Sequence, residues 1–247
     1  MNEGGRSVQP DTDAEPAAVS ARCLGLRLAG VRVELDPAGG LVWAEEKLLV
    51  VADLHFEKGS AAAVRGLFLP PYDTGITLGL IEGLVARHKP ERVIALGDSF
   101  HDRRAEERLA PADAVRIQRL TGACDWTWIA GNHDPEPPRE LGGRSLSELA
   151  IGPLVFRHAP ARGGCAGEVA GHLHPAAKVV VRGRSVRRRA FASDGRQLVM
   201  PALGAFTGGL NVLDPAFRGL FPGQAFHAWM LGEDRVHPVR GADLRGD

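Results

Sequence analysis

The sequence predicts an α/β fold in which two mixed β-sheets pack against each other with helices outside. Short apolar runs at residues 47–53, 92–96 and 126–130 end in Asp, Gly-Asp and Gly-Asn-His. That is the signature of buried strands with working residues at their C-terminal ends. A helical spacing lies between the first two runs, whereas beyond residue 154 the chain turns to short strand-like runs joined by turns.

Taken in order, residues 27–35 (RLAGVRVEL) alternate as a strand, 36–40 (DPAGG) form a turn, and 41–44 return as a hairpin partner. Residues 47–53 deliver Asp53. In 74–88 the apolar Ile76, Leu80, Leu84 and Val85 recur at helical spacing, with Asp73 or Thr74 as the cap and Pro90 as the stop. Residues 92–96 deliver Gly97-Asp98, 105–120 read as a helix despite Pro111, and 126–130 deliver Asn132 and His133. Strands follow at 154–157, 168–170, 179–182, 187–192 and 197–200, with Asp194-Gly195 as a hairpin signal. After the glycine-rich loop 201–209, residues 226–231 and 235–239 close a sheet. With no internal repeat and no linker, 21–247 is expected to be one domain behind a disordered tail, 1–20.

A chain of 247 residues suits one large domain. Its formal net charge of +0 gives no global case for nucleic-acid binding, so any electropositive surface is local. Cys23, Cys124 and Cys165 are far apart and form neither a disulfide framework nor a thiolate metal site, which points to reduced thiols in the cytoplasm. No apolar run approaches the ~20 residues of a membrane span. Residues 1–20 lack the apolar stretch of a secretory signal.

The chemistry is carried by Asp53-x-His55, Gly97-Asp98, Gly131-Asn132-His133-Asp134, His158 and Gly171-His172-x-His174. Each has a bland counterpart when taken alone. Asp53 can cap a helix, Asp98 can sit in a type I turn, Asn132 in an Asx-turn, and His158 at a strand end reads as structural. Together they collect carboxylates, an amide oxygen and imidazoles, a donor set that suits Mn²⁺, Fe or Zn²⁺. Two such ions about 3.5–4 Å apart promote in-line displacement at phosphorus. Residues two apart on an extended segment face the same way, so Asp53 and His55, or His172 and His174, can reach one ion. His133 beside Asn132 then faces the other way. His88, His227 and His237 lack such company and default to structural or surface roles.

This ordered set resembles the calcineurin-like binuclear metallophosphoesterases. The resemblance implies a four-layer α/β/β/α sandwich. It places Asp53, His55, Asp98 and His174 on one ion, Asp98 as a bridge, and Asn132, His158 and His172 on a second, with His133 facing the scissile phosphate. The strings ADLHFEKGSA, LPPYDT, LGDSFHD, WIAGNHD, GHLHP and PALGAFTGGL are similar to the bacterial ligase-associated DNA-damage-response endonucleases known as PdeM. That narrower resemblance implies a manganese-dependent DNA phosphodiesterase associated with a DNA ligase and a helicase. Many superfamily phosphatases carry Gly-Asp-x-x-Asp. Here His101 stands at the last place and Asp102 comes one later, a form similar to the double-strand-break repair nucleases of the superfamily.

The expected mechanism is in-line attack of a metal-bridging hydroxide, with His133 assisting the leaving group and His101 in support. Asp102 and Asp134 are candidate orienters of histidines. Arg182, Arg184, Arg187, Arg188 and Arg189 form a basic cluster that either contacts DNA phosphates or guards a hairpin edge. Tyr72 and Phe206 either stack on bases or, as the weightier reading, belong to the core. The leading function is an endonuclease on DNA, with single strands preferred. A phosphodiesterase or phosphatase for small nucleotides is the alternative, and a non-catalytic scaffold is disfavoured because every ligand position is filled.

Overall fold

An antiparallel hairpin, β1 (Leu24–Leu28) and β2 (Val31–Leu35), opens the first sheet. The computed structural model describes residues 22–67, 69–136, 139–221 and 225–247, so the tail expected at 1–20 lies outside the described residues. Ala29 and Gly30 make the connection, both with positive φ (46° and 91°), as a two-residue turn matched to strand twist requires. Residues 27–35 thus hold a turn and parts of two strands, not one strand. The turn interrupts the alternation by a single position and was hidden in it.

β3 (Leu41–Trp43) and β4 (Leu48–Val51) continue the sheet antiparallel. The chain then runs through α1 (Lys58–Val64), α2 (Asp73–His88), β5 (Arg92–Leu96), α3 (Ala105–Arg108), α4 (Pro111–Ala123), β6 (Asp125–Ile129) and β7 (Arg144–Leu146). Strands β4 to β7 pair parallel in order, each reached through a crossover. The second sheet comprises β8 (Glu148–Ile151), β9 (Leu154–Arg157), β10 (Glu168–Ala170), β11 (Pro175–Val181), β12 (Arg184–Ser193), β13 (Leu198–Val199), β14 (Leu210–Asn211), β15 (His227–Leu231) and β16 (Val236–Arg240). Its order is β14-β11-β12-β13-β10-β9-β8, with β15 also on β12 and β16 on β15. β9, β10 and β13 are parallel neighbours, and the rest of the sheet is largely antiparallel.

Strand periodicity divides the interior into layers. Leu48, Val50, Ile94, Leu96 and Ile129 face Phe156, Val169, Leu198 and Met200 between the sheets. The alternate residues Leu49, Val51, Val93, Ala95, Trp126 and Trp128 face Leu78, Ile81, Leu84, Ile117 and Leu120 of α2 and α4. Outside the second sheet, Ala190, Ala192, Ala228 and Met230 are covered by Val212, Phe217, Leu220, Phe221 and Leu244. These belong to single-turn and extended segments, because all four described α-helices lie between Lys58 and Ala123. The glycine- and proline-dense stretch after Pro201 offers no helical repeat for that outer layer.

Several elements differ in detail from expectation. The helix at 105–120 is two helices, since Leu109 and Ala110 are extended and Pro111 opens α4 at the position where its missing N–H costs nothing. Ile76 is exposed, and α2 instead buries Thr77, Leu78, Ile81 and Leu84. Neither Asp73 nor Thr74 caps α2. Asp73 accepts from the Gly59 amide and Thr74 from the Glu57 amide, tying α2 to α1. α1, β7, β8 and β14 are additional to the elements the sequence predicts.

Asp36, fully buried at the turn after β2, accepts from Arg87 (2.6 Å), His88 (2.7 Å) and the Ala38 amide (2.8 Å), which fastens α2 to the first sheet. Half-buried Cys23 points its thiol at the same carboxylate, and burial with that charge pushes the thiol up to about 12. Burial alone would raise Asp36, but the His88, Ala38 and Arg87 bonds outweigh it and hold the carboxyl down to about 2. A depressed folded-state pKa gives stability that is present above the unfolded value and lost as pH falls toward 2. Asp36→Asn should therefore lower stability by about 1–3 kcal/mol near neutral pH, and its gap from wild type should narrow between about pH 4 and pH 2. Urea unfolding across that range measures this.

Candidate metal centre

Five loops meet where the parallel strands of both sheets end. Register Val51↔Ala95 and Leu96↔Ile129 brings the residues beyond β4, β5 and β6 out side by side. They are Asp53, Asp98 and Asn132. From the facing sheet, β9 and β10 in register Arg157↔Ala170 deliver His158 and His172. Asp53, His55, Asp98, His172 and His174 have φ of 51°, 45°, 45°, 69° and 46°. Each such left-handed residue costs of order 1–3 kcal/mol and persists only where surrounding structure imposes it.

The glycines in the motifs are what let the loops close on each other. Gly97 has φ 67°, and a Cβ there would lie 2.5 Å from His158 Nδ1. One at Gly171 would lie 2.5 Å from Asp53 Oδ2, and one at Gly131 would strike the Asp98 amide and carboxylate. The Asp53 carboxylate also accepts from the His172 amide (2.9 Å), and Asp98 from the His133 amide (2.9 Å). The His172 loop is thus held by Asp53 and the His133 loop by Asp98.

The predicted ligands fall into two abutting groups. In the first, His174 Nε2 stands 3.2 Å from Asp53 Oδ1 and 3.3 Å from His55 Nε2, while His55 Nδ1 is buried without a partner. In the second, His158 donates Nδ1–H to the Leu96 carbonyl (3.0 Å) and turns Nε2 toward three atoms. These are Asn132 Oδ1 (2.9 Å), His172 Nδ1 (3.1 Å) and Asp98 Oδ2 (3.4 Å). Asp98 sits with His158 and His172, and Asp53 Oδ1 borders both groups, 3.8 Å from His158 Nδ1.

The arrangement fits divalent ions. Facing imidazole nitrogens at 3.1 and 3.3 Å repel unless a proton or a cation lies between them. The donors are carboxylate, imidazole and amide oxygen without thiolate. The Leu96 carbonyl fixes the His158 tautomer, as outer partners of metal-bound histidines do. Burial opposes charge on His158, yet Asp98 and Asp53 raise it to about 9. An entering ion must displace that proton. Burial, then His174, pushes His55 down to about 2, leaving it neutral with a lone pair to offer.

His133 and His101 stack beside this centre, ring centroids 5.4 Å apart. His133 donates Nδ1–H to the His101 carbonyl (2.8 Å), so Nε2 faces the centre, 4.0 Å from Asp98 Oδ2. Asp102 and Asp134 do not orient histidines as expected. Asp102 accepts from the Arg104 amide and Arg108, and Asp134 from the Ser99 and Phe100 amides. A main-chain carbonyl does the orienting, which side-chain spacing cannot reveal. Burial, with Asp98 adding to it, pushes Asp134 up to about 7 against the pull of those amides.

Lys58 was missed in the sequence. It opens α1 half-buried, with no ion pair or hydrogen bond among the described residues, and its charge is felt by His55 and His101. Its place three residues past His55 was the available signal. The arginine cluster divides. Arg182, Arg184 and Arg188 are exposed, Arg187 pairs with Asp247 and the Gly209 carbonyl, and largely buried Arg189 donates to the Ala202 and Leu203 carbonyls. Arg189 therefore braces the loop after β13 rather than offering itself to a ligand. Tyr72 and Phe206, weighted toward the core, are instead exposed.

The model of the calcineurin-like phosphoesterase family matches residues 46–182, more than half of the 247. No functionally curated protein matches the chain. Among solved structures, a Pseudomonas putida nuclease, MPE, is 29% identical with a TM-score of 0.68, covering 88% of this chain and 100% of its own. The Escherichia coli phosphoesterase Yfce is 17% identical with a TM-score of 0.36, covering 80% and 94%. The matched segment holds all five motifs and both ligand groups, and the chain belongs to the calcineurin-like phosphoesterase family.

Proposed function

We propose that this metallophosphoesterase is a manganese-dependent endonuclease that cuts single-stranded DNA in DNA repair. The observation that carries the reading is the pairing of two abutting ligand groups with a His133–His101 stack in place of a carboxylate-oriented histidine. Similarity to a bacterial nuclease over 88% of the chain supports it. Bound divalent ions would supply an activated water and neutralise charge growing on the phosphate oxygens. Asp53, His55, Asp98, Asn132, His158, His172 and His174 would hold them. His133 in its imidazolium form, with Nδ1–H held by the His101 carbonyl, would present Nε2–H to the leaving sugar oxygen as a proton donor and be left as the neutral Nδ1–H tautomer. Lys58, with no ion pair among the described residues, offers its cation to a phosphate oxygen beside the same histidines. Exposed Arg182, Arg184 and Arg188 extend a phosphate-binding surface along the β11–β12 hairpin.

Association with a DNA ligase and a helicase is part of the proposal and rests on the resemblance of the sequence strings. Among the described residues no helix is long and apolar enough to cross a membrane, and the three cysteines are unbonded. Both suit the cytoplasmic setting we propose.

Metal-stripped protein given Mn²⁺ should gain thermal stability, because an ion bound only by the folded state shifts the unfolding equilibrium. An unchanged melting temperature would count against the site. With Mn²⁺, closed-circular single-stranded DNA should be linearised by wild type and left intact by Asp98→Ala. Hydrolysis confined to a small phosphodiester would move the substrate to a small nucleotide. His133→Ala should lose about 100-fold or more in turnover with metal content unchanged, measured by steady-state kinetics beside metal analysis.

A further inference from the structure

The geometry points to a nucleobase-stacking subsite at Phe206, a binding site for the base next to the phosphate being cut. It rests on the phosphodiesterase reading above and adds how the substrate is gripped. Among the described residues, Tyr72 and Phe206 are the exposed aromatics, while every other described Phe, Tyr and Trp is buried. Phe206 is also the only Phe, Tyr or Trp among the described residues with positive φ, at 57°. An exposed ring gains little from burial, and a left-handed bulky residue costs backbone energy, so local stability accounts for neither feature.

The loop that carries Phe206 is anchored at both ends against the backbone of the metal centre. At its start the Leu203 amide donates to the Ala52 carbonyl (2.9 Å) and the Gly204 amide to the Asp53 carbonyl (3.1 Å). Gly204 packs directly on the Leu54 carbonyl, and Gly209 at the far end packs directly on the His174 carbonyl. Between them the Ala205 amide donates to Thr77 Oγ1 (3.0 Å) on α2. Arg189 braces the Ala202 and Leu203 carbonyls from beneath. The loop thus spans from Asp53 to His174, both in the first ligand group, and holds the ring of Phe206 out at its crest. A flat apolar face fixed beside a phosphate-binding centre takes the π-face of any base without reading its edge.

The test compares wild type with Phe206→Ala, Phe206→Trp and Phe206→Gly on two pairs of substrates. One pair is a single-stranded oligonucleotide and an abasic strand of the same length. The other is the 4-nitrophenyl ester of thymidine 5′-phosphate and its abasic deoxyribose counterpart, which reads the subsite even where DNA is not cleaved. Wild type should prefer the base-bearing member of a pair. Phe206→Ala should lose that preference through a fall of about tenfold or more in kcat/KM on the base-bearing member alone, and Phe206→Trp should restore it. Phe206→Gly should also lose the preference while raising the melting temperature, since glycine enters the left-handed region freely. Activity on the nucleotide ester but not on DNA would remove the endonuclease reading and leave Phe206 judged by the ester pair. The subsite is overturned if Phe206→Ala keeps the wild-type base preference, or if wild type shows none on either pair.

Discussion

The structure depends on loops from two sheets approaching closely enough for their polar ends to interlock. Strands β4, β5 and β6 can end side by side because their faces are apolar on both sides and their register is tight. The residues just beyond these strands are polar. Asp53 and Asp98 are almost wholly buried, and each accepts from the backbone amide of another loop. Glycine at 97, 131 and 171 is the condition for this, since any Cβ there would occupy the space of a neighbouring ligand or its carbonyl support. The apolar layers set the positions of the strands, and the glycines allow the polar ends to meet.

The electrostatics arise from that packing. Buried carboxylates lift His158, while burial and neighbouring imidazoles hold His55 down. One group of ligands therefore begins with a proton to give up, and the other with a free lone pair. Around them the positive charge is placed selectively. Lys58 stands beside the centre without an ion pair among the described residues, whereas Arg189 is committed to backbone carbonyls and Arg187 to Asp247. A run of like charges in the sequence thus splits into structural and available members according to strand parity and depth.

What was legible in the sequence was whatever is encoded over short range. The strand at 92–96 was read at its observed bounds because a buried parallel strand needs no partner information beyond its own apolar run. The ligand motifs were legible because donor type and glycine spacing are local. The rest depends on distant partners. The break between α3 and α4 is local, at Leu109, Ala110 and Pro111, and the expected single helix over 105–120 runs past that proline signal. That Asp73 serves α1 rather than capping α2, and that a carbonyl orients His133, are facts of tertiary approach. β7 and β8 are half-exposed strands of three and four residues, too short for alternation to register. For Tyr72 and Phe206 the sequence favours the core because aromatics usually are buried, and their exposure is what makes them informative.

Neither ligand group is complete within one sheet. The first joins Asp53 and His55 to His174, and the second joins Asp98 and Asn132 to His158 and His172. His174 is also the last of these ligands along the chain. During synthesis, the emerging first half therefore exposes no finished site. A free ion would find there only two donors of either group, Asp53 with His55 or Asp98 with Asn132, which would hold it poorly. Chelation becomes strong only when the second sheet docks, so the order of translation itself delays metal selection until the interior has closed.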